Sequence, residues 1–151
     1  MSAIAIPAES ELPGIIKEAL DAVALFSDAG ISVIVDEGLQ DEAIATALAS
    51  KGSVVTILPV LMVTTRDQSG SGLIGKAELV VKLSVNPQQN VTSGVNLNIY
   101  AGKKAIIEAL VRRARHPGGE FFRAGETVSA LSGFDPGLWE YDLFFTKECV
   151  S

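Results

Sequence analysis

The sequence holds one cysteine, Cys149, and one histidine, His116. A single cysteine excludes an internal disulfide framework and any cysteine-rich zinc site; a single histidine excludes every two-histidine metal motif. Long apolar runs are missing as well. The longest, Val54 to Val63, is interrupted by Thr56 and Pro59, whereas a spanning helix needs roughly 20 apolar residues. Met1 to Pro7 has no basic n-region, so it does not read as a secretory signal. Without such a signal, the glycosylation-like triplet Asn90-Val91-Thr92 is a chance match. These gaps point to a protein made inside the cell, with no membrane among its partners.

What is present reads as one domain spanning 1–151. Its 151 residues are 48% hydrophobic and 20% charged, enough for one sizeable core. A net charge of −6 argues against wholesale binding to nucleic acid or anionic membrane. A mean hydropathy of +0.34 is high for a freely soluble monomer and suggests assembly.

Leu12, Ile16, Leu20, Val23 and Phe26 recur at spacings of three and four, predicting one amphipathic helix over 12–29. Ser10 is its expected N-cap, Pro13 sits in its first turn and Gly30 stops it. Ile31 to Val35, rich in β-branched residues, reads as a short strand. Asp41 opens an Ala-rich helix to Ser50, which Gly52 ends.

The strongest β signal is Ser53 to Thr65, apolar on both faces as in an interior strand or one covered by a partner. Pro59 predicts a bulge or an unpaired edge within it. Asp67 to Lys76 reads as a Gly/Ser-rich loop, and Ala77 to Val85 alternates at period two as a half-buried strand. Asn86 to Asn98, polar and uncharged, reads as a long loop. A helix from Gly102 to Arg115 follows, then strands at Glu126–Leu131 and Leu138–Thr146 around a turn at Ser132–Gly137. The expected fold class is α+β. A mostly antiparallel four-stranded sheet of two hairpins carries helices on one face, behind a short N-terminal α-β-α segment.

Few residues suggest chemistry. Gly70 to Lys76 matches both G-x-G-x-x-G and the start of a P-loop, which raises a nucleotide-binding or small-molecule module as one alternative. Against it, Ala77 stands where a magnesium-binding Ser or Thr belongs, and a strand follows rather than a helix. His116 beside Arg112, Arg113 and Arg115 fits a helix C-terminus. Cys149 reads as an incidental tail residue. Asp36, Glu37, Asp41 and Glu42 lack the calcium-loop pattern and suit a solvated connection. No cofactor, metal or catalytic residue is assigned, and the expectation is a non-enzymatic protein.

Charge is unevenly placed. Residues 1–50 hold nine acids against Lys17 alone, a local charge of −8. Residues 103–123 hold six bases (Lys103, Lys104, Arg112, Arg113, Arg115 and Arg123) against Glu108 and Glu120, a local charge of +4. Three readings stand: a nucleic-acid face, which lacks interleaved aromatics; two solvated faces of a monomer; or the acidic front of one copy meeting the basic helix of the next, a head-to-tail contact that can close a ring.

The layout resembles the tail-terminator or tail-completion proteins of long-tailed bacteriophages. The likeness rests on the N-terminal helix, the strand-helix connection, the interrupted strand Thr56-Ile57-Leu58-Pro59-Val60-Leu61, the long hairpin, and the closing helix and hairpin ending Trp139-Glu140-Tyr141-Asp142-Leu143. It covers most of the chain; the short helix at 41–50 is additional. The resemblance implies a virion protein of the tail or neck, assembled in the host cytoplasm as a hexameric ring. Such a ring caps the tail tube, meets tube and head-completion proteins, and lets DNA pass through its lumen without specific recognition. The contact residues it implies are Asp67, Gln68, Gln88, Gln89 and Asn90 in the loops; the charge pairing adds Lys103, Lys104, Arg112, Arg113, Arg115 and Arg123 in the basic segment. Another head–tail connector or tail structural role is the nearest alternative.

Overall fold

The computed structural model describes residues 7–68, 72–111, 121–131 and 138–150. The chain enters through a 3-10 turn, Glu9–Glu11, in which the Glu11 carboxylate accepts from the Ala8 N–H at 3.2 Å. Ser10 is exposed and does not cap the helix. The helix expected over 12–29 is two, α1 (Leu12–Asp21) and α2 (Ala24–Ala29), because Val23 turns extended with ψ 113°. That break sends Phe26 into the core beside Leu12, Ile16 and Leu20. Gly30, at φ 70°, closes α2 while Ile31 N–H reaches back to the Phe26 carbonyl at 2.9 Å, a Schellman-type stop.

Strand β1 (Val33–Val35) leads through α3 (Asp41–Lys51) to β2 (Ser53–Ile57), and β1 pairs with β2 in parallel. A parallel pair needs a crossover connection, and α3 is that connection. Strands β3 (Leu61–Gln68) and β4 (Gly72–Val85) form a hairpin. After β4 come α4 (Pro87–Thr92), α5 (Ile99–Val111), β5 (Phe122–Leu131) and β6 (Leu138–Val150). All six strands form one mixed sheet. Five run in the order β1-β2-β4-β6-β5, and β3 pairs with β4 outside that path.

The class is α+β as expected, but the four-stranded antiparallel sheet is corrected to six strands with a parallel edge. One cause is Pro59. The five residues from Ile57 to Leu61 face the four from Val81 to Glu78, so the proline introduces a bulge that divides one apolar segment into β2 and β3. The other cause is the α3 crossover, which brings β1 into the sheet.

Helices on one face is corrected too. α1 and α5 cover the face bearing Val55, Val81, Leu83, Leu143 and Phe145. Ile34, which the register places on the opposite face, lines a cleft with Ala43, Thr46 and Ala47 of α3. α5 comes close to the sheet at Gly102, where an added Cβ would stand 3.0 Å from Leu83 Cδ2.

Two expected loops are ordered elements. Asp67 to Lys76 lies largely in the β3–β4 hairpin, with Gln68 opposite Gly72 and Arg66 opposite Ile74. The P-loop alternative fails here: Gly72 to Lys76 are extended and paired, so no helix N-terminus follows to hold a phosphate. Asn86 to Asn98 contains α4, whose N-cap Asn86 accepts from Gln89 N–H at 3.2 Å with Pro87 in the first turn. The turn at Ser132–Gly137 lies outside the described residues.

Candidate functional site

Among the described residues, the expected contact residues do not form one patch. Arg112, Arg113 and Arg115 lie outside the described residues, as does His116. Asp67 and Gln68 are backbone-paired positions near the β3–β4 turn. On α4, Gln88 is exposed and Gln89 half-buried, but Asn90 is buried. Asn90 Oδ1 accepts from Ser53 Oγ at 3.0 Å and Leu97 N–H at 3.2 Å, while Nδ2 donates to the Leu97 carbonyl at 3.0 Å. Its amide holds the segment after α4 against β2, so it is corrected from contact residue to structural residue. Burial also removes it as a glycosylation acceptor.

Among the described bases, Lys103 and Arg123 meet at one carboxylate. Lys103 Nζ stands 2.5 Å from Glu126 Oε2, and Arg123 pairs with Glu126 Oε1. The Lys103 ammonium also lies 4.7 Å from the Tyr141 ring centre and 5.7 Å from that of Tyr100. The Lys103 hydrogen bond holds the Glu126 carboxyl below its ordinary range. Partial burial opposes that shift, and the charges of Lys103 and Arg123 reinforce it. Lys103 thus clamps α5 to β5, and Arg123 meets the same carboxylate from within β5. Lys104 is exposed and faces Glu108 one turn on, at 3.9 Å.

Elsewhere, Cys149 is buried, and burial with the Glu9 charge pushes its thiol above the ordinary value. Its neighbour on the same strand face, Lys147, is buried with its ammonium 5.4 Å from the Phe121 ring centre. A cleft of about 710 Å³ lies where β1 ends and β3 begins, lined by Val35, Asp36, Glu37, Pro59 and Val60 with Glu9. Among the described residues no three His, Cys, Asp or Glu side chains gather to hold a metal, and no helix is long and apolar enough to cross a membrane.

The fold has known company. A chain from the virion of a native gene transfer agent particle superposes at TM-score 0.61 over 93% of this chain and 95% of its own, at 16% identity. The chain shares the fold of a virion component. At that identity the likeness is one of fold. The type 4 fimbrial biogenesis protein PilO from Pseudomonas aeruginosa reaches TM-score 0.40 over 97% of this chain and 73% of its own, at 6% identity. A protein from Akkermansia muciniphila reaches 0.36 over 99% and 82%, at 8% identity. Neither overlap is close enough to inform the fold. No protein-family model and no curated protein matches the chain.

The surface features that sequence reasoning missed are apolar. Tyr100, Phe122, Val128 and Trp139 are 69, 63, 52 and 42% exposed. All four lie on or near the β5 end of the sheet. Phe122 and Val128 lie on the edge strand β5, Trp139 on β6 beside it and Tyr100 near the start of α5.

Proposed function

We propose that this protein is a non-enzymatic structural subunit of a phage-like virion, of the tail-terminator type, working as a homo-oligomeric ring that caps the tail tube and meets the head. The observation that carries the reading is the fold shared with a gene transfer agent virion chain, which runs nearly end to end through both chains. The exposed apolar side chains around β5 favour assembly over life as a monomer. The acidic front, −8 over residues 1–50, against Lys104, Arg112, Arg113 and Arg115 of the basic segment suits a head-to-tail contact that closes by rotation.

Native mass measurement of the purified chain at high concentration and low salt tests this reading. A single closed oligomer, a hexamer by the family resemblance, is the expected result. A strict monomer under those conditions overturns it. Electron micrographs of the oligomer should show rings with an open centre, and compact particles without a lumen would exclude the capping role.

A further inference from the structure

We infer that the ring is held by strand pairing between copies, the outer edge of β5 in one copy adding to the outer edge of β3 in the next. This inference rests on the ring reading and names its interface.

Three observations carry it. The first is topological. Among the described strands, β5 pairs only with β6 and β3 only with β4, so each leaves an unpaired edge. The two edges lie on opposite sides of the sheet, with β4 and β6 between them. β3 and β6 both run antiparallel to β4, and β5 runs antiparallel to β6, so β3 and β5 point in opposite senses. Copies related by rotation about an axis along the strands therefore bring β5 beside β3 as an antiparallel pair. The contact is heterologous, the kind that closes a ring.

The second observation is an empty lane in the sheet. β1 runs beside β2 but stops at Val35, where the chain turns off toward α3. β3 continues the line of β2 with no described strand beside it. The cleft lined by Val35, Pro59 and Val60 marks the head of that lane. The sequence agrees: Leu61-Met62-Val63 has the two-sided apolar character of an interior strand, yet β3 stands at an edge.

The third is the character of β5. Over ten residues, Phe122–Leu131, it carries no Lys and no Pro, the residues that commonly blunt an exposed edge, and its one described bulge, between Arg123 and Gly125, leaves Glu126–Leu131 in regular register. Its two charges, Arg123 and Glu126, answer each other. Val128 lies on the helix-covered face and Phe122 on the opposite one, and both are more than half exposed. A strand added there would cover apolar surface on both faces of the sheet.

Mixing two blocked variants tests the pairing. Thr127→Lys puts a charge on the β5 edge and Thr65→Lys puts one on the β3 edge. Far-UV circular dichroism checks that both fold, and Val128→Lys is the second β5 variant. Each variant alone should lose the oligomer and run as a monomer. An equimolar mixture should yield a 1:1 heterodimer and nothing larger, since one intact β5 and one intact β3 remain. Leu39→Lys, at a residue 91% exposed and on neither strand, should assemble like wild type.

If wild type forms its ring and either blocked variant still does so, the strand-pairing inference falls while the ring reading stands. Two monomeric variants that form no heterodimer when mixed also overturn the β5–β3 pairing. So does loss of assembly in the β5 variant alone, which would indicate β5 pairing with itself. A monomeric wild type removes both readings together.

Discussion

Asn90 sits in a stretch of polar residues where little distinguishes it from Gln88 and Gln89, yet its amide is the buried one. It satisfies Ser53 Oγ and both the N–H and the carbonyl of Leu97. Truncation leaves those groups without partners in a site closed to water, and each orphaned buried group costs about 1–3 kcal/mol. Asn90→Ala should therefore lower stability by about 2–3 kcal/mol, a fall in Tm of roughly 5–10 °C, read by thermal melts. Gln88→Ala, at an exposed position, should leave Tm within about 1–2 °C of wild type. Glu126 tests a different term. Its carboxyl is held below the ordinary range when folded, so its ion pairs stabilise the protein above the unfolded value and are lost as pH falls through the folded one. The site is partly open to solvent, so the contribution is about 1 kcal/mol or less. Glu126→Gln should melt a few degrees below wild type at neutral pH, and the difference should shrink as pH falls below the ordinary glutamate range. A gap that does not shrink on acidification would assign the effect to packing instead.

At the scale of elements, the junction of α3, β2 and α4 depends on one glycine. Gly52 ends α3 at φ 76°, its carbonyl accepts from Asn86 N–H at 2.7 Å, and an added Cβ would stand 2.1 Å from the backbone nitrogen of Asn90. Left-handed backbone and a collision with main chain act together there. Gly52→Ala should cost about 3 kcal/mol or more, visible as a shifted denaturation midpoint, whereas Gly38→Ala, with open space around it, should cost only the backbone strain of its φ of 95°. The helix stop at Gly52 was legible from sequence; the closeness of α4 was not. α4 itself was missed because an Asn-Pro start can open either a loop or a helix, and the choice depended on Asn90 finding partners on β2. Pro59 was the converse case. Its missing N–H predicted a bulge, and the register shows one.

For the whole molecule, two features favour association and they respond differently to salt. Strand edges and exposed apolar side chains keep their attraction as ionic strength rises, while exposed charges lose theirs once the Debye length shrinks to about 3 Å near 1 M salt. The bipolar charge should therefore govern approach and strand pairing should govern retention. Reversing Arg112 and Arg113 to Glu is expected to weaken or slow assembly at low salt, with the difference from wild type closing near 1 M in sedimentation velocity. Equal assembly at low salt would remove the basic segment from the mechanism. Lys103 and Arg123 should not be counted with that segment, because both are committed to Glu126 within the same copy.

Several properties were determined by the sequence alone because they depend on neighbours along the chain. The α+β class, the shared face of Trp139, Tyr141, Leu143 and Phe145, the break at Pro59 and the helix stops at Gly30 and Gly52 all follow from local periodicity and backbone chemistry. Other properties belonged to the tertiary structure because they depend on which segments become neighbours in space. Pairing β1 with β2 set the mixed sheet, Ser53 and Leu97 made Asn90 structural, and Glu126 drew Lys103 and Arg123 away from any partner. The order of strands decided the rest. An alternating apolar pattern is the same in the middle of a sheet and at its margin, and only the arrangement of β3 and β5 at opposite margins left two complementary edges in water.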